Sequence, residues 1–190
     1  TPGQRCAAGI KETVARGGDV TRMADNQILT LVRTSVNQVA NASSQQVYEA
    51  NQDITKKYRY VATLDTRTSS ICRALDGKEF EYGKGPTPPQ HFSCRSATVP
   101  VIDYDALGFT PPPPAKRASA GGQVPADMTY GEWLAKQDRA TQSKALGASK
   151  VPYFNRLAKK HGPQAAIAKL VRDDGRELTL AELRKRYENT

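Results

Sequence analysis

The sequence predicts an α+β fold: a long N-terminal helix packed on a small antiparallel sheet with a Cys/His-bearing loop, followed by a linker and a helical C-terminal tail. Three observations carry this. Ile28, Leu29, Val32, Val36, Val39 and Ala40 recur at the spacing of one helical face. From Lys57 to Leu64 the period falls to two, the mark of a strand. A Pro-rich then Gly-rich break over 111–122 separates this part from several shorter helical patterns. The chain has 190 residues, enough for one sizeable core, and 38% hydrophobic with 25% charged residues is polar for a globular protein without being a disordered composition. No run approaches the roughly 18 to 20 apolar residues that cross a bilayer, so no membrane span is expected. Nothing near Thr1 has the apolar stretch of a secretory signal, and three cysteines are too few for a disulfide framework, which points to a reducing compartment.

Residues 1–24 form an N-terminal segment of weak periodicity, with at most a helical turn around Ala7 to Ala15. Asp25 suits the N-cap of a helix over 26–53, which contains no Gly or Pro to stop it. Tyr58, Tyr60, Ala62 and Leu64 then share one face of the first strand. A short helix follows, capped by Thr68 or Ser69, carrying Ile71, Cys72 and Leu75 and stopping at Gly77. Lys78 to Tyr82 alternates as a second strand, 83–89 is a Gly/Pro loop, and Ala97 to Ile102 is a third strand that Pro100 confines to an edge. The α+β domain so defined spans 25–104, the linker 105–126 and the tail 127–190. In the tail, Met128 to Leu146, Tyr153 to His161, Gln164 to Arg172 and Thr179 to Tyr187 read as helices, the last opened by a Thr179/Glu182 capping box. Trp133, Leu134, Phe154, Leu157, Ile167 and Leu183 supply a thin core that has to dock on something to be stable.

The 28 basic residues against 19 acidic give a net charge of +9, which suits a polyanionic partner. The surplus is uneven: 61–126 is nearly neutral, whereas 127–190 holds 13 basic and 8 acidic residues. Lys159, Lys160, Lys169, Arg172, Arg184, Lys185 and Arg186 are the candidate contacts to double-stranded DNA, with plain solvated faces as the alternative. Tyr58 and Tyr60, among Lys56, Lys57 and Arg59, either stack on single-stranded nucleic acid or belong to an exposed strand edge.

Unusual residue types concentrate in 64–68, 72–77 and 88–96. Cys72, His91 and Cys94 are three borderline-soft ligands, and His-x-x-Cys has the turn spacing of zinc knuckles. A structural zinc, a Cys72–Cys94 disulfide and simple packing of two thiols all stand open. The same residues with Asp65 contain the types of a nucleophile, base and orienter, yet no complete catalytic motif accompanies them, so no enzyme is expected. Arg67 and Arg95 flank turns, where a guanidinium bonds loose carbonyls or Asp65 and Asp76. Arg33 either snorkels to solvent or reaches back to the acidic residues of the cluster.

Arg33-Thr34 on a long helix, then 62–68, then Ile71-Cys72-Arg73-Ala74-Leu75-Asp76-Gly77-Lys78, then Pro88-Pro89-x-His91-x-x-Cys94-Arg95-Ser96 resemble the phage Mu F-like head morphogenesis family, over about residues 28–102. Tyr130 to Leu134 and Leu178 to Leu183 resemble that family's C-terminal extension. The resemblance implies a minor capsid protein of a tailed phage, a structural virion component made in the host cytoplasm. It further implies portal and capsid proteins as partners, incorporation near the portal vertex, and association with packaged double-stranded DNA or ejection with it. Arg33, Thr34, Asp65, Arg67, Thr68, Asp76, Gly77 and Arg95 would be its structural motif. Two departures stand out: many relatives carry a further Cys where this chain has Ser69, and an acidic residue where it has Ser35.

Overall fold

Thirty residues without Gly or Pro give helix α1, Val20–Glu49, in the computed structural model, which describes residues 20–113 and 115–187, with side chains from residue 24. Cys6 and the turn read around Ala7 to Ala15 lie outside the described residues. The helix ends four residues before the expected 53, where Thr55 donates its amide to the Asn51 carbonyl. Its orientation reverses the expectation. The polar side faces the sheet: Asn37 and Asn41 donate to the Ser96 carbonyl (3.0 and 3.4 Å), Gln45 to Thr98 Oγ1 and Tyr48 to the Thr98 carbonyl. Ile28, Leu29, Val32, Val36 and Val39 point outward, Val36 and Val39 at 64% and 66% exposure. Amide side chains win the inner side because it overlies the edge of the sheet, whose loose carbonyls need donors.

The sheet has three antiparallel strands, β1 (Thr55–Val61) between β2 (Glu79–Glu81) and β3 (Ala97–Ile102). Pro100, opposite Tyr58, lies on the edge strand β3, where its missing donor is harmless. Tyr58 and Tyr60 sit on the central strand and are fully buried, so neither the stacking role nor the exposed-edge role holds for them. Helix α2, Ser70–Leu75, is capped by Ser69, whose hydroxyl accepts from the Cys72 amide. Gly77 ends it at φ +78°, a conformation that a side chain disfavours, and its amide bonds the Tyr60 carbonyl at 2.9 Å.

The second half of the expected linker is a hairpin. Strands β4 (Lys116–Ser119) and β5 (Gly122–Pro125) pair antiparallel across Ala120-Gly121, and the Ala120 amide bonds the Leu64 carbonyl at 2.9 Å. The tail then contains α3 (Tyr130–Ala135), α4 (Arg139–Leu146), α5 (Val151–His161), α6 (Pro163–Lys169) and α7 (Leu180–Tyr187). The single helix expected over 128–146 is two, because Asp138 turns extended and accepts the Thr141 amide as a fresh N-cap. Thr129/Glu132 forms a capping box on α3, and Thr179/Glu182 repeats the arrangement before α7. Leu64 of the sheet region joins Tyr130, Trp133, Leu134, Phe154, Leu157, Ile167, Leu178 and Leu183 in one buried cluster. A Cβ on Gly131 would stand 2.4 Å from the Pro163 carbonyl oxygen, so only glycine lets α3 and α6 meet this closely.

Candidate functional site

Strand β1, helix α2 and the loop after Pro89 converge on two buried sulfurs. Cys72 lies on the inner face of α2 and Cys94 at the end of the loop, with Sγ atoms 3.8 Å apart and both thiols free. His91 Nε2 is 3.3 Å from Cys72 Sγ, and the three ligand atoms all fall within 4.8 Å of one another. His91 Nδ1 is 2.8 Å from the Phe92 carbonyl, which accepts its hydrogen and leaves the Nε2 lone pair facing Cys72. Tyr60 Oη stands 3.3 Å from Cys72 Sγ. A hydrogen bond from Cys72, with amides of Ser96 and Gln90 turned toward its sulfur, pulls Cys94 below the ordinary thiol range against the opposing effect of burial. Cys72 is raised by that same shared proton and by burial.

The loop carrying His91 and Cys94 is held from α1. Ser93 adopts φ +54°, and its amide donates to Thr34 Oγ1 at 2.9 Å, while Thr34 donates to the Thr30 carbonyl at 2.7 Å. Thr34 is thus a support of the site. Arg33 is not brought to it: the side chain is exposed, one position round the helix from the inward face.

Asp65 anchors the opposite rim. Its carboxylate accepts both Arg95 guanidinium nitrogens, at 2.6 and 3.0 Å, and the Arg67 amide at 2.9 Å, with the Thr68 hydroxyl between Asp65 and the Thr63 carbonyl. Burial works to raise the Asp65 carboxyl, but these donors outweigh it and hold the group below its ordinary value. Arg95→Ala is expected to move the Asp65 titration upward, as read by NMR. A depressed carboxylate contributes stability above its unfolded pKa and loses it as pH falls through the folded one. The variant should therefore show a flatter stability profile in acid than the wild type. Arg67 and Arg95 line a small recess with Thr63, Thr68, Ser69, Ser93 and Ser96, whose floor is Cys72 and His91.

Asp76 belongs to a separate centre. Fully buried, it accepts the amides of Ala62 and Tyr130, each at 2.6 Å, and both terminal nitrogens of Arg117, at 3.0 and 3.2 Å. Arg117 also donates to the carbonyls of Ala62 and Met128. Arg73, likewise buried, donates to the Thr68 carbonyl and pairs with Glu177 at 3.2 Å, its guanidinium 5.5 Å above the Tyr130 ring. Gln164 donates to the carbonyls of Arg73 and Asp76 and accepts the Gly131 amide. Sequence reading missed Arg117, Gln164 and Glu177 and met Tyr130 only in the resemblance to the C-terminal extension; the four lie 41 to 104 positions from their partners in the motif. The one available signal was Gly121-Gly122 between two short extended runs, a hairpin cue that would have taken Arg117 out of the linker.

The basic residues of the tail are spread over three helices. Lys159 and Lys160 occupy the last turn of α5, Lys169 that of α6, and Arg184, Lys185 and Arg186 that of α7, where cations complement the helix dipole. Arg172 is engaged with Glu182 at 2.7 Å. Among the described residues, no helix is long and apolar enough to cross a membrane.

Relatives with curated descriptions match this chain over part of their length. It is 26% identical over 140 residues, 65% of the chain and 28% of the relative, to a protein of Enterococcus faecalis named NAD(+)–arginine ADP-ribosyltransferase EFV. It is 29% identical over 97 residues, 49% of the chain and 21% of the relative, to an uncharacterised protein of Haemophilus influenzae. The chain thus spans less than a third of the length of either. No solved structure gives a significant match. Residues 3–99, which include α1, β1, β2, the first half of β3 and the entire Cys/His and Asp65 cluster, match the family described as phage Mu protein F like protein, and the chain belongs to that family of phage head proteins.

Proposed function

We propose that this chain is a structural, minor component of a tailed-phage head, and that it docks on the portal protein through the outward side of α1. The observation that carries the reading is the inverted helix. Leu29, Val32, Val36 and Val39 follow the three-four-three spacing of a helix seam, and all stand exposed. Covering a Val or Leu side chain is worth about 1.5–3 kcal/mol, so leaving four of them in water needs a partner to account for it. The seam positions one heptad further on are Ser43 and Gln46, so the stripe is shorter than the three to four heptads that sustain a coiled coil. A seat within a larger partner suits it better than a second copy of α1, and the family supplies the head as the setting.

The test is co-expression with the portal protein of the same phage. The wild-type chain should co-purify with it, and Val36→Glu/Val39→Glu should weaken the association at least tenfold while leaving the melting temperature within a few degrees. Undiminished association of the double variant would remove α1 as the docking surface. A wild-type chain that is dimeric alone, and monomeric as the double variant, would assign the stripe to self-association.

A further inference from the structure

We infer that Cys72, His91 and Cys94 hold one zinc ion whose fourth coordination position is open to the recess beneath Arg67 and Arg95 and is filled by water or a small anion. With zinc–sulfur bonds of about 2.3 Å and zinc–nitrogen bonds of about 2.0–2.1 Å, a tetrahedral site has sulfur–sulfur edges of about 3.8 Å and sulfur–nitrogen edges of about 3.5 Å. The sulfurs stand 3.8 Å apart, and Cys72 Sγ lies 3.3 Å from His91 Nε2. Two of the three edges are thus close to those of a tetrahedral site, and the third, between Cys94 Sγ and His91, is within 4.8 Å.

The surroundings have the features that orient metal ligands. The Phe92 carbonyl holds the Nδ1 hydrogen of His91 and turns the Nε2 lone pair inward, as a backbone acceptor does for a metal-bound imidazole. Tyr60 lies against the Cys72 sulfur, and the amides of Gln90 and Ser96 are directed at that of Cys94. Two thiolates neutralise a divalent ion, so its burial beside the central strand leaves no net charge. Two sulfurs and an imidazole suit zinc among the common divalent metals.

The lining of the recess supplies no fourth sulfur, imidazole or carboxylate ligand. Ser69 stands at the recess wall beside Cys72, with its hydroxyl committed to the cap of α2. Thr63, Thr68, Ser93 and Ser96 complete the wall, and none of them offers a sulfur, imidazole or carboxylate; Asp65, the near acidic group, is held by Arg95. Three protein ligands with an exogenous fourth is the coordination of an open zinc site. The exposed guanidinium of Arg67 on the rim favours an anion there.

The experiment is cobalt(II) titration of the purified, reduced chain, with azide as the probe of the fourth position. One equivalent should bind, giving intense tetrahedral d–d bands and a thiolate-to-cobalt charge-transfer band, and zinc should displace it. Azide should shift the d–d bands. His91→Cys should retain one equivalent with a stronger charge-transfer band, from three thiolates, whereas Cys94→Ser should lose at least tenfold in affinity. Failure of the wild-type chain to take up one equivalent overturns the site, as does undiminished binding by Cys94→Ser. Spectra indifferent to azide overturn the open position. None of these readouts depends on a portal protein, so the zinc site and the docking surface stand or fall separately.

Discussion

Asp76→Ala is expected to destabilise the protein by about 3–5 kcal/mol, the cost of removing one partner from a buried ion pair. Against a typical total of about 5–15 kcal/mol this is a large share. The carboxylate has no exposed surface and the Arg117 side chain only 12%, so solvent cannot take over either role. The substitution leaves a buried guanidinium without its counter-charge and two buried amides, of Ala62 and Tyr130, without an acceptor. Those amides lie in different parts of the chain, one just past β1 and one at the start of α3, and Arg117 comes from β4. Asp76 therefore joins the sheet, the hairpin and the tail at one point. A double-mutant cycle makes the argument sharper. Asp76→Ala with Arg117→Met removes the stranded charge, so it should cost less than the sum of the single changes, by at least 1 kcal/mol. Urea unfolding of the four proteins measures this; strict additivity would mean that the pair does not act as a unit.

Local chemistry was legible in the sequence wherever the deciding contacts are close along the chain. Period two gave β1, Ser69 and Gly77 bracket α2, Pro100 puts β3 on an edge, and Thr179 with Glu182 opens α7; each follows from neighbours within a few residues. The Cys/His cluster was legible as a set of residue types, and the fold brings all three together. Asp65 with Arg95 was legible as a pair of turn-flanking charges. The destination of a face was not. Periodicity shows that Val32, Val36 and Val39 share a side of α1, but which side meets the sheet depends on what the sheet presents. Here that is an edge whose Ser96 carbonyl takes Asn37 and Asn41 as donors, whose Thr98 hydroxyl takes Gln45 and whose Thr98 carbonyl takes Tyr48. Periodicity marks the apolar stripe, whereas the polar stripe opposite is the one that docks. Arg117 was hidden for a related reason, since its partner Asp76 lies 41 positions away and its own neighbours look like a spacer.

Phe154→Ala should cost about 3–5 kcal/mol, the range for removing a fully buried aromatic side chain from a packed core, and should lower the stability of the sheet as much as that of the tail. A chain divided by a passive linker would confine the damage to 127–190. The structure argues otherwise: Phe154 shares its buried cluster with Leu64, Gln164 of α6 caps the carbonyls of α2, and Ser70 donates to the Gly175 carbonyl at 2.7 Å. Cys72 and Cys94 report on the sheet side, since both are buried there, 1% and 3% exposed, in a cluster with Tyr60 and Ala62. Thiol labelling in urea, with a chelator present so that bound metal adds nothing, can be compared with the loss of helical signal. In the wild type the two should coincide, and in Phe154→Ala both midpoints should fall together. Thiols that stay protected after the tail helices have melted would show two separately stable units. Coincident transitions mean that the tail is part of the wall that keeps Cys72 and Asp76 dry, and that the Cys/His cluster exists only in the completely folded chain.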